Sequence, residues 1–203
     1  MPAQAEKPSN SQRRVVLKNV RLSYPHLFEP RSAVEGADPK FSTTLLIPKS
    51  NEIALQTVKN AIAAAVTEAI PAKWGGKKPT TLRMPLRDGD AKDELTGDYE
   101  KPGSEFRGHY YMSASSKTRP GVVFGPNRDP ATPEDIWPGE YAHVSVSFFG
   151  YNAAGNRGVS AGLNNVWALG RGDRLDGGMS PEDEFSDIEE TFEDGEDLLG
   201  DIA

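Results

Sequence analysis

Apolar and polar residues alternate along two segments of the chain, residues 106–114 and 141–151. Because successive side chains on a strand point to opposite faces, each segment predicts a strand with one buried and one solvent-facing side. The predicted buried sides carry Phe106, Tyr110, Met112 and Ala114 in the first strand and Ala142, Val144, Val146 and Phe148 in the second. The predicted solvent sides carry Arg107, His109, Tyr111 and Ser113 in the first and Tyr141, His143, Ser145, Ser147, Phe149 and Tyr151 in the second. Aromatic rings therefore stand among polar groups on two solvent-facing strand surfaces.

Three further strands are predicted from runs rich in β-branched and aromatic residues. They are residues 15–24, which end before Pro25, residues 41–47, which end before Pro48, and residues 159–169. Proline cannot donate to a strand ladder, so it is expected to end the first two strands.

One amphipathic helix is predicted over about residues 51–70, with Ser50 as its N-cap and Pro71 as its end. Its apolar stripe consists of Leu55, Val58, Ile62, Val66 and either Ala69 or Ile70. A basic loop at residues 73–78 contains one aromatic residue, and a charged excursion at residues 88–103 separates later strands.

Many short strands around one helix, with 20 glycines and 16 prolines dispersed between them, favour a mainly β fold. The predicted architecture is an OB-fold-type Greek-key barrel with one interposed α-helix and a flexible acidic C-terminal tail. The predicted boundaries are a disordered N-terminal arm at residues 1–14, an OB-fold domain at 15–172 and the acidic tail at 173–203.

The end of the chain changes this picture through its charge. Residues 181–203 carry eleven acidic residues and no Lys or Arg, so a chain of formal net charge −7 has a body, residues 1–180, of charge +4. A like-charge block is solvated and usually serves as an interaction tail, and this one would compete with a polyanion for the basic body. The tail also has apolar residues at partly helical spacing, which suggest a partner-docking segment; these are Phe185, Ile188, Phe192, Leu198, Leu199 and Ile202. The alternative is a solubilising tail with incidental apolar residues.

A basic body with aromatic residues on solvent-facing strands points to single-stranded nucleic acid. Aromatic rings stack on any base, and Lys and Arg bind phosphates with release of counterions. The alternative for each ring is that it covers core. The candidate DNA-binding residues are Arg21, Lys40, Trp74, Lys77, Lys78, Arg87, Arg107, His109, Tyr111, Lys117, Phe149, Tyr151 and Arg157.

Other chemistry finds little support in the chain. There is no cysteine, the three histidines lack metal-ligand spacing, and no cofactor or metal is expected. Residues 158–162 match the G-x-S-x-G pattern, but no histidine follows Ser160 and a strand is predicted there instead of a strand–turn–helix elbow. Residues 88–90 (DGD) fail calcium-loop spacing because Lys92 occupies the next ligand position, so they predict a turn. A non-enzymatic protein is expected, in an intracellular setting because no apolar segment of a signal peptide or a membrane span is present.

Several strings together resemble a known family. They are residues 18–25 (KNVRLSYP), 27–30 (LFEP), 41–49 (FSTTLLIPK), 86–90 (LRDGD), 108–114 (GHYYMSA) and 162–166 (GLNNV). In these the chain is similar to the single-stranded DNA-binding proteins of tailed bacteriophages, over about residues 15–170. The resemblance implies an OB-fold body that coats single-stranded DNA in phage replication and recombination, in the cytoplasm of the infected bacterium. It also implies an acidic tail that contacts other replication proteins and shields the DNA groove, although this tail lacks the terminal aromatic residue common in such tails.

The competing hypothesis is an acidic-tailed protein-interaction or chaperone module whose β body does not bind DNA. The oligomeric state, including a homodimer, stays open at this point, as do site size, cooperativity and binding of RNA or duplex DNA.

Overall fold

A closed barrel of five long strands dominates the computed structural model, which describes residues 10–32, 34–153 and 155–177. The strands are β1 (Arg14–Arg31), β2 (Lys40–Pro48), β3 (Arg87–Asp88), β4 (His109–Ser116), β5 (Gly121–Phe124), β6 (Asp129–Pro130), β7 (Tyr141–Ala153) and β8 (Asn156–Ala168). The helices are α1 (Asn10–Arg13) and α2 (Glu52–Lys73), with 3₁₀ turns at Ser104–Phe106 and Pro133–Asp135. The eleven acidic residues of the segment 181–203 and the docking candidates lie outside the described residues, as do residues 1–9 of the arm.

The barrel runs in the order β1–β2–β4–β8–β7 and returns to β1. Its neighbours are antiparallel except for β4 and β8, whose parallel pairing of Ala114 with Ala161 closes the barrel. The mainly β, OB-fold-type barrel with one interposed helix is therefore confirmed. The short hairpin of β5 and β6 extends the sheet beyond β8 through a parallel pairing of β5 with β8.

The core fills the barrel from the predicted apolar strand faces. Ala142, Val144, Val146 and Phe148 of β7 are all fully buried, and their neighbours in sequence are not. In β4 the same alternation buries Met112 and Ala114. Phe106 departs from the predicted strand because it lies in a 3₁₀ turn, where its ring packs against Tyr111 with centroids 5.1 Å apart.

The first strand does not end at Pro25, as predicted, but continues to Arg31. Register with β2 shifts between the Ser23–Thr44 and His26–Ser42 pairs, so the proline sits at an irregularity where its missing N–H costs no ladder bond. The preceding Tyr24 has φ of 50°, which bends the strand at this point. At the other end, residues 10–13 of the predicted disordered arm form one helical turn before β1.

Helix α2 begins one residue later than predicted, since its cap is Asn51 and not Ser50. The Asn51 side chain accepts the Ala54 N–H at 3.2 Å and donates to the Lys18 carbonyl at 3.0 Å, which ties the helix start to β1. Pro71 lies within the last turn and the helix continues to Lys73. No helix in the described part of the chain is long and apolar enough to cross a membrane.

Alanines line much of the helix face that packs on the barrel. The buried residues are Ala54, Leu55, Val58, Ala61, Ala65 and Ala69, whereas Ile62 and Val66 of the predicted stripe are only partly buried. A Cβ at Gly150 of β7 would lie 2.2 Å from the Ala69 Cβ. Small residues on both sides therefore bring α2 against β7.

Candidate nucleic-acid interface

The outward side chains of β4, β8 and β7 form one continuous sheet surface. Strand register places Phe149 beside Ser160 and Ser147 beside Gly162, and the β4–β8 pairing brings Ser113 next to the same surface. At the end of this surface that carries Ser113 and Ser160, most residues are small or polar, which leaves three rings prominent; they are Tyr111, Phe149 and Tyr151. Phe149 is the most open of the three, with 44% of its surface exposed.

Two of these rings, Tyr111 from β4 and Tyr151 from β7, line one cleft of about 510 Å³. Arg83, Arg87 and Lys101 line the same cleft, against one acidic residue, Glu100. Aromatic faces and cations thus converge on a concave surface whose volume can hold several ring-sized groups. This arrangement suits a chain of flat bases joined by anionic phosphates.

Two backbone hydrogen bonds position Arg83 at the cleft. The Arg83 N–H donates to the Arg157 carbonyl at 2.9 Å, and the Val159 N–H donates back to the Arg83 carbonyl at 2.9 Å. A Cβ at Gly158 would meet that carbonyl oxygen at 2.2 Å, so only glycine permits this close approach. Arg87 is fixed separately because β3 pairs it with Tyr111.

A charge cluster holds β3 against the barrel. The Lys49 ammonium lies 2.7 Å from an Asp88 carboxylate oxygen and 2.9 Å from one of Asp90. The Asp90 carboxylate also accepts the Gly108 N–H at 3.1 Å. The hydrogen bond from Lys49 lowers the pKa of both carboxyl groups. The DGD string is therefore a clamped turn, and within the described residues no three metal-ligating side chains cluster.

Lys101 reaches the cleft from the charged excursion. Its ammonium lies 4.9 Å from the centroid of Phe106 and 6.0 Å from that of Tyr111. Phe106 is buried behind the Tyr111 ring, which fixes that ring's orientation while leaving it half-exposed.

A second cleft adjoins the first across the Arg83–Arg157 contact. Lys77, Lys78 and Arg157, three of the predicted DNA-binding residues, line it. Trp74 also lines this cleft, but it is not the exposed ring that the sequence predicted, because the residue is only 5% exposed. Its indole N–H donates to the Tyr151 carbonyl at 3.0 Å, so the ring anchors the basic loop to β7.

Arg107 and His109 also differ from their expected roles. The Arg107 guanidinium stacks on Tyr99 with its carbon 3.6 Å from the ring centroid, and it donates to the Lys101 and Gly103 carbonyls. Arg107 is therefore engaged in holding the excursion together. His109 is half-buried, with its Nδ1 at 2.6 Å from the Arg107 carbonyl oxygen.

Three predicted cations lie away from both clefts. Arg21 donates to the Gly139 carbonyl at 2.7 Å and to the Asp173 carbonyl at 2.6 Å, which is a structural role. Lys117 pairs with Asp38 at 2.7 Å. Lys40 is exposed at the start of β2.

Arg83 and Lys101 complete the first cleft, although sequence reasoning did not select them. Both lie in irregular segments where no periodicity assigns a face. The available signal was Gly158, because a glycine inside a strand often marks the close approach of another backbone.

The comparisons with known proteins place this chain in a family. The family model of the Enterobacter phage Enc34 ssDNA-binding protein matches residues 13–199. The chain therefore belongs to this family of phage single-stranded DNA-binding proteins.

Individual relatives agree with this assignment. "Putative protein p50" of Acyrthosiphon pisum secondary endosymbiont phage 1 is 35% identical over 198 residues, covering 92% of this chain and 98% of the relative. The solved structure of the single-stranded DNA-binding protein from bacteriophage Enc34 in complex with ssDNA has a TM-score of 0.65 and 26% identity, covering 85% of this chain and 94% of that one. The fold is shared as well with gp2.5, a single-stranded DNA-binding protein encoded by bacteriophage T7, at a TM-score of 0.52, 14% identity and coverage of 88% and 96%.

Proposed function

We propose that this protein binds single-stranded DNA largely independently of sequence, at the cleft between β4 and β7. Bases stack on Tyr111, Tyr151 and Phe149, and Arg83 and Arg87 bind the phosphates. The observation that carries the proposal is the convergence of two tyrosines from different strands with three cations on one concave surface. Stacking of this kind tolerates any base because every base has a π-face.

The bound DNA strand continues from this cleft into the adjoining basic cleft. Lys77, Lys78 and Arg157 are exposed there and form no ion pair among the described residues. Each phosphate neutralised releases counterions, with a slope of about −0.7 in log K against log salt concentration for single strands. Binding through about five phosphate contacts would thus weaken steeply as the salt concentration rises.

The wider role we propose is that of a non-enzymatic protein of phage DNA replication or recombination, acting in the cytoplasm of the infected cell. The proposed layout is a short N-terminal arm, a DNA-binding body and the acidic tail from residue 173. The eleven acids of residues 181–203 oppose the charge of +4 on residues 1–180, which supports a role in regulating access to DNA. Its Phe, Ile and Leu residues supply the anchors for a replication partner.

One titration tests the DNA-binding proposal. Fluorescence anisotropy of labelled oligothymidylate is followed as protein is added at low and high salt, using the full chain and a chain ending at residue 180. We expect salt-sensitive binding that tightens when the tail is absent. If neither protein binds at low salt while both retain native circular dichroism, the proposal fails and a protein-interaction role takes its place.

A further inference from the structure

A second aromatic cluster lies at the far end of the same β7–β8 surface. His143 of β7 and Trp167 of β8 are cross-strand partners on the outward face, with ring centroids 5.0 Å apart in an edge-on arrangement. Both are only half-buried. The Trp167 indole N–H donates to the Gly125 carbonyl at 2.8 Å, which fixes the ring's orientation.

Cations surround this pair of rings. The Arg128 guanidinium carbon lies 4.2 Å from the Trp167 ring centroid. Burial lowers the pKa of His143, and the nearby charges of Lys18 and Arg171 lower it further, so the local potential is positive. None of these three cations forms an ion pair with a carboxylate in the part of the chain that the structure describes. A ring pair bordered by unneutralised cations repeats the chemistry of the first cleft.

The surface between the two aromatic ends is smooth and polar. Ser145, Ser147 and Gly162 lie along it, and the Asn164 amide donates to both serine hydroxyls at 3.4 and 2.9 Å. No bulky side chain stands on these positions. Tyr151 and His143 are eight residues apart on β7, which is about 26 Å of strand. That distance corresponds to about eight nucleotides in a stacked strand and about half as many in an extended one.

We propose that bound single-stranded DNA extends along the β7–β8 surface to a second stacking site formed by Trp167 and His143, with Lys18, Arg128 and Arg171 contacting phosphates. This inference rests on the proposed function, because it lengthens the same nucleic-acid path. An oligonucleotide of about three nucleotides is too short to span the two sites even when extended and occupies the first cleft alone, whereas one of about 15 nucleotides reaches both sites.

The test compares these two oligothymidylates on full-length variants. Lys18→Gln and Arg128→Gln each replace one exposed cation with a neutral polar side chain, and Lys59→Gln, on the exposed surface of α2, is the matched control. For the longer oligonucleotide we expect each site variant to lose about 3- to 10-fold in affinity and about 0.7 in salt slope. The shorter oligonucleotide and the control should bind as the parent protein does.

Trp167→Leu removes the stacking ring, and we expect it to lose at least as much affinity for the longer oligonucleotide. If this variant unfolds, as judged by circular dichroism, the two charge variants decide the question.

The outcomes separate the two proposals. If the parent protein binds neither oligonucleotide, the proposed function itself fails. If it binds both and the site variants bind the longer one unchanged, or lose equal affinity for both lengths, the second site is refuted while the DNA-binding function stands.

Discussion

Tyr111 and Tyr151 carry the proposed base contacts at the scale of single residues. Replacing either tyrosine with leucine keeps an apolar side chain but removes the π-face. A base–aromatic stack contributes about 1–3 kcal/mol, so we expect each substitution to weaken oligothymidylate binding by about 5- to 160-fold. Anisotropy titrations at fixed salt measure this. Tyr111→Phe and Tyr151→Phe are the controls, since they keep the ring; equal binding by the Leu and Phe variants would contradict stacking.

Glu140 is a buried carboxyl group that makes the stability of the fold depend on pH. Its side chain is fully buried, Oε1 accepts the Gly170 N–H at 2.8 Å, and Oε2 has no hydrogen-bond partner among the described residues. Burial raises the pKa of Glu140 from 4.5 to about 7. The folded state therefore favours the protonated form more than the unfolded state does. The stability that protonation gives is complete below about pH 4.5 and is lost as the pH rises to about 7.

We accordingly expect Glu140→Gln to be more stable than the parent protein above about pH 7, by about 1–3 kcal/mol in the free energy of unfolding. The amide cannot ionise, and its oxygen can still accept the Gly170 N–H. The advantage should vanish near pH 4, where both side chains are neutral. Urea denaturation of the two proteins across this range measures the difference, and the other titrating groups cancel in the comparison. A difference that does not change with pH would show that folding leaves the pKa of Glu140 unshifted.

The clamp formed by Lys49, Asp88 and Asp90 positions β3 at the scale of elements. We expect Lys49→Met to leave two neighbouring carboxylates without their shared cation, which loosens β3 and displaces Arg87 from the cleft. DNA affinity should fall several-fold, and amide hydrogens of residues 88–103 should exchange faster. Lys59→Met on α2 controls for the loss of one positive charge. Unchanged amide exchange in the Lys49 variant would show that this charge cluster does not position β3.

Elements built by local alternation were predictable from sequence, whereas contacts set by distant parts of the chain were not. The two faces of β7 follow from Ala142 to Phe148 alone, because a strand's period is intrinsic to its backbone. The sequence predicts Trp74 as an exposed ring in a basic loop. In the structure it is buried, and its indole N–H donates to the Tyr151 carbonyl, 77 residues later in the chain. Arg107 stood on a predicted polar face, but Tyr99 and two carbonyls from the excursion engage it. The position of Arg83 likewise depends on its close backbone contact with Gly158, and hydrophobic periodicity does not predict that contact.

Charge is divided across the whole molecule between a body of +4 and a tail segment of −11. Such a tail acts on DNA access through electrostatics and on partners through its apolar residues, and the two roles can be separated by substitution. Replacing the eleven acids with Asn and Gln should tighten DNA binding at low salt nearly as much as removing the tail. The gain should shrink at about 0.15 M salt, where screening acts over about 8 Å.

Replacing Phe185, Ile188 and Phe192 with Ser should leave that DNA affinity unchanged, because the charge is kept. The same triple variant should lose binding to a replication protein of the phage, while the neutralised tail keeps its apolar anchors. Anisotropy with oligothymidylate and pull-down with the purified partner read the two roles independently. If the Ser variant tightens DNA binding as much as neutralisation does, then the apolar residues themselves occupy the cleft, and shielding and docking are one competitive interaction.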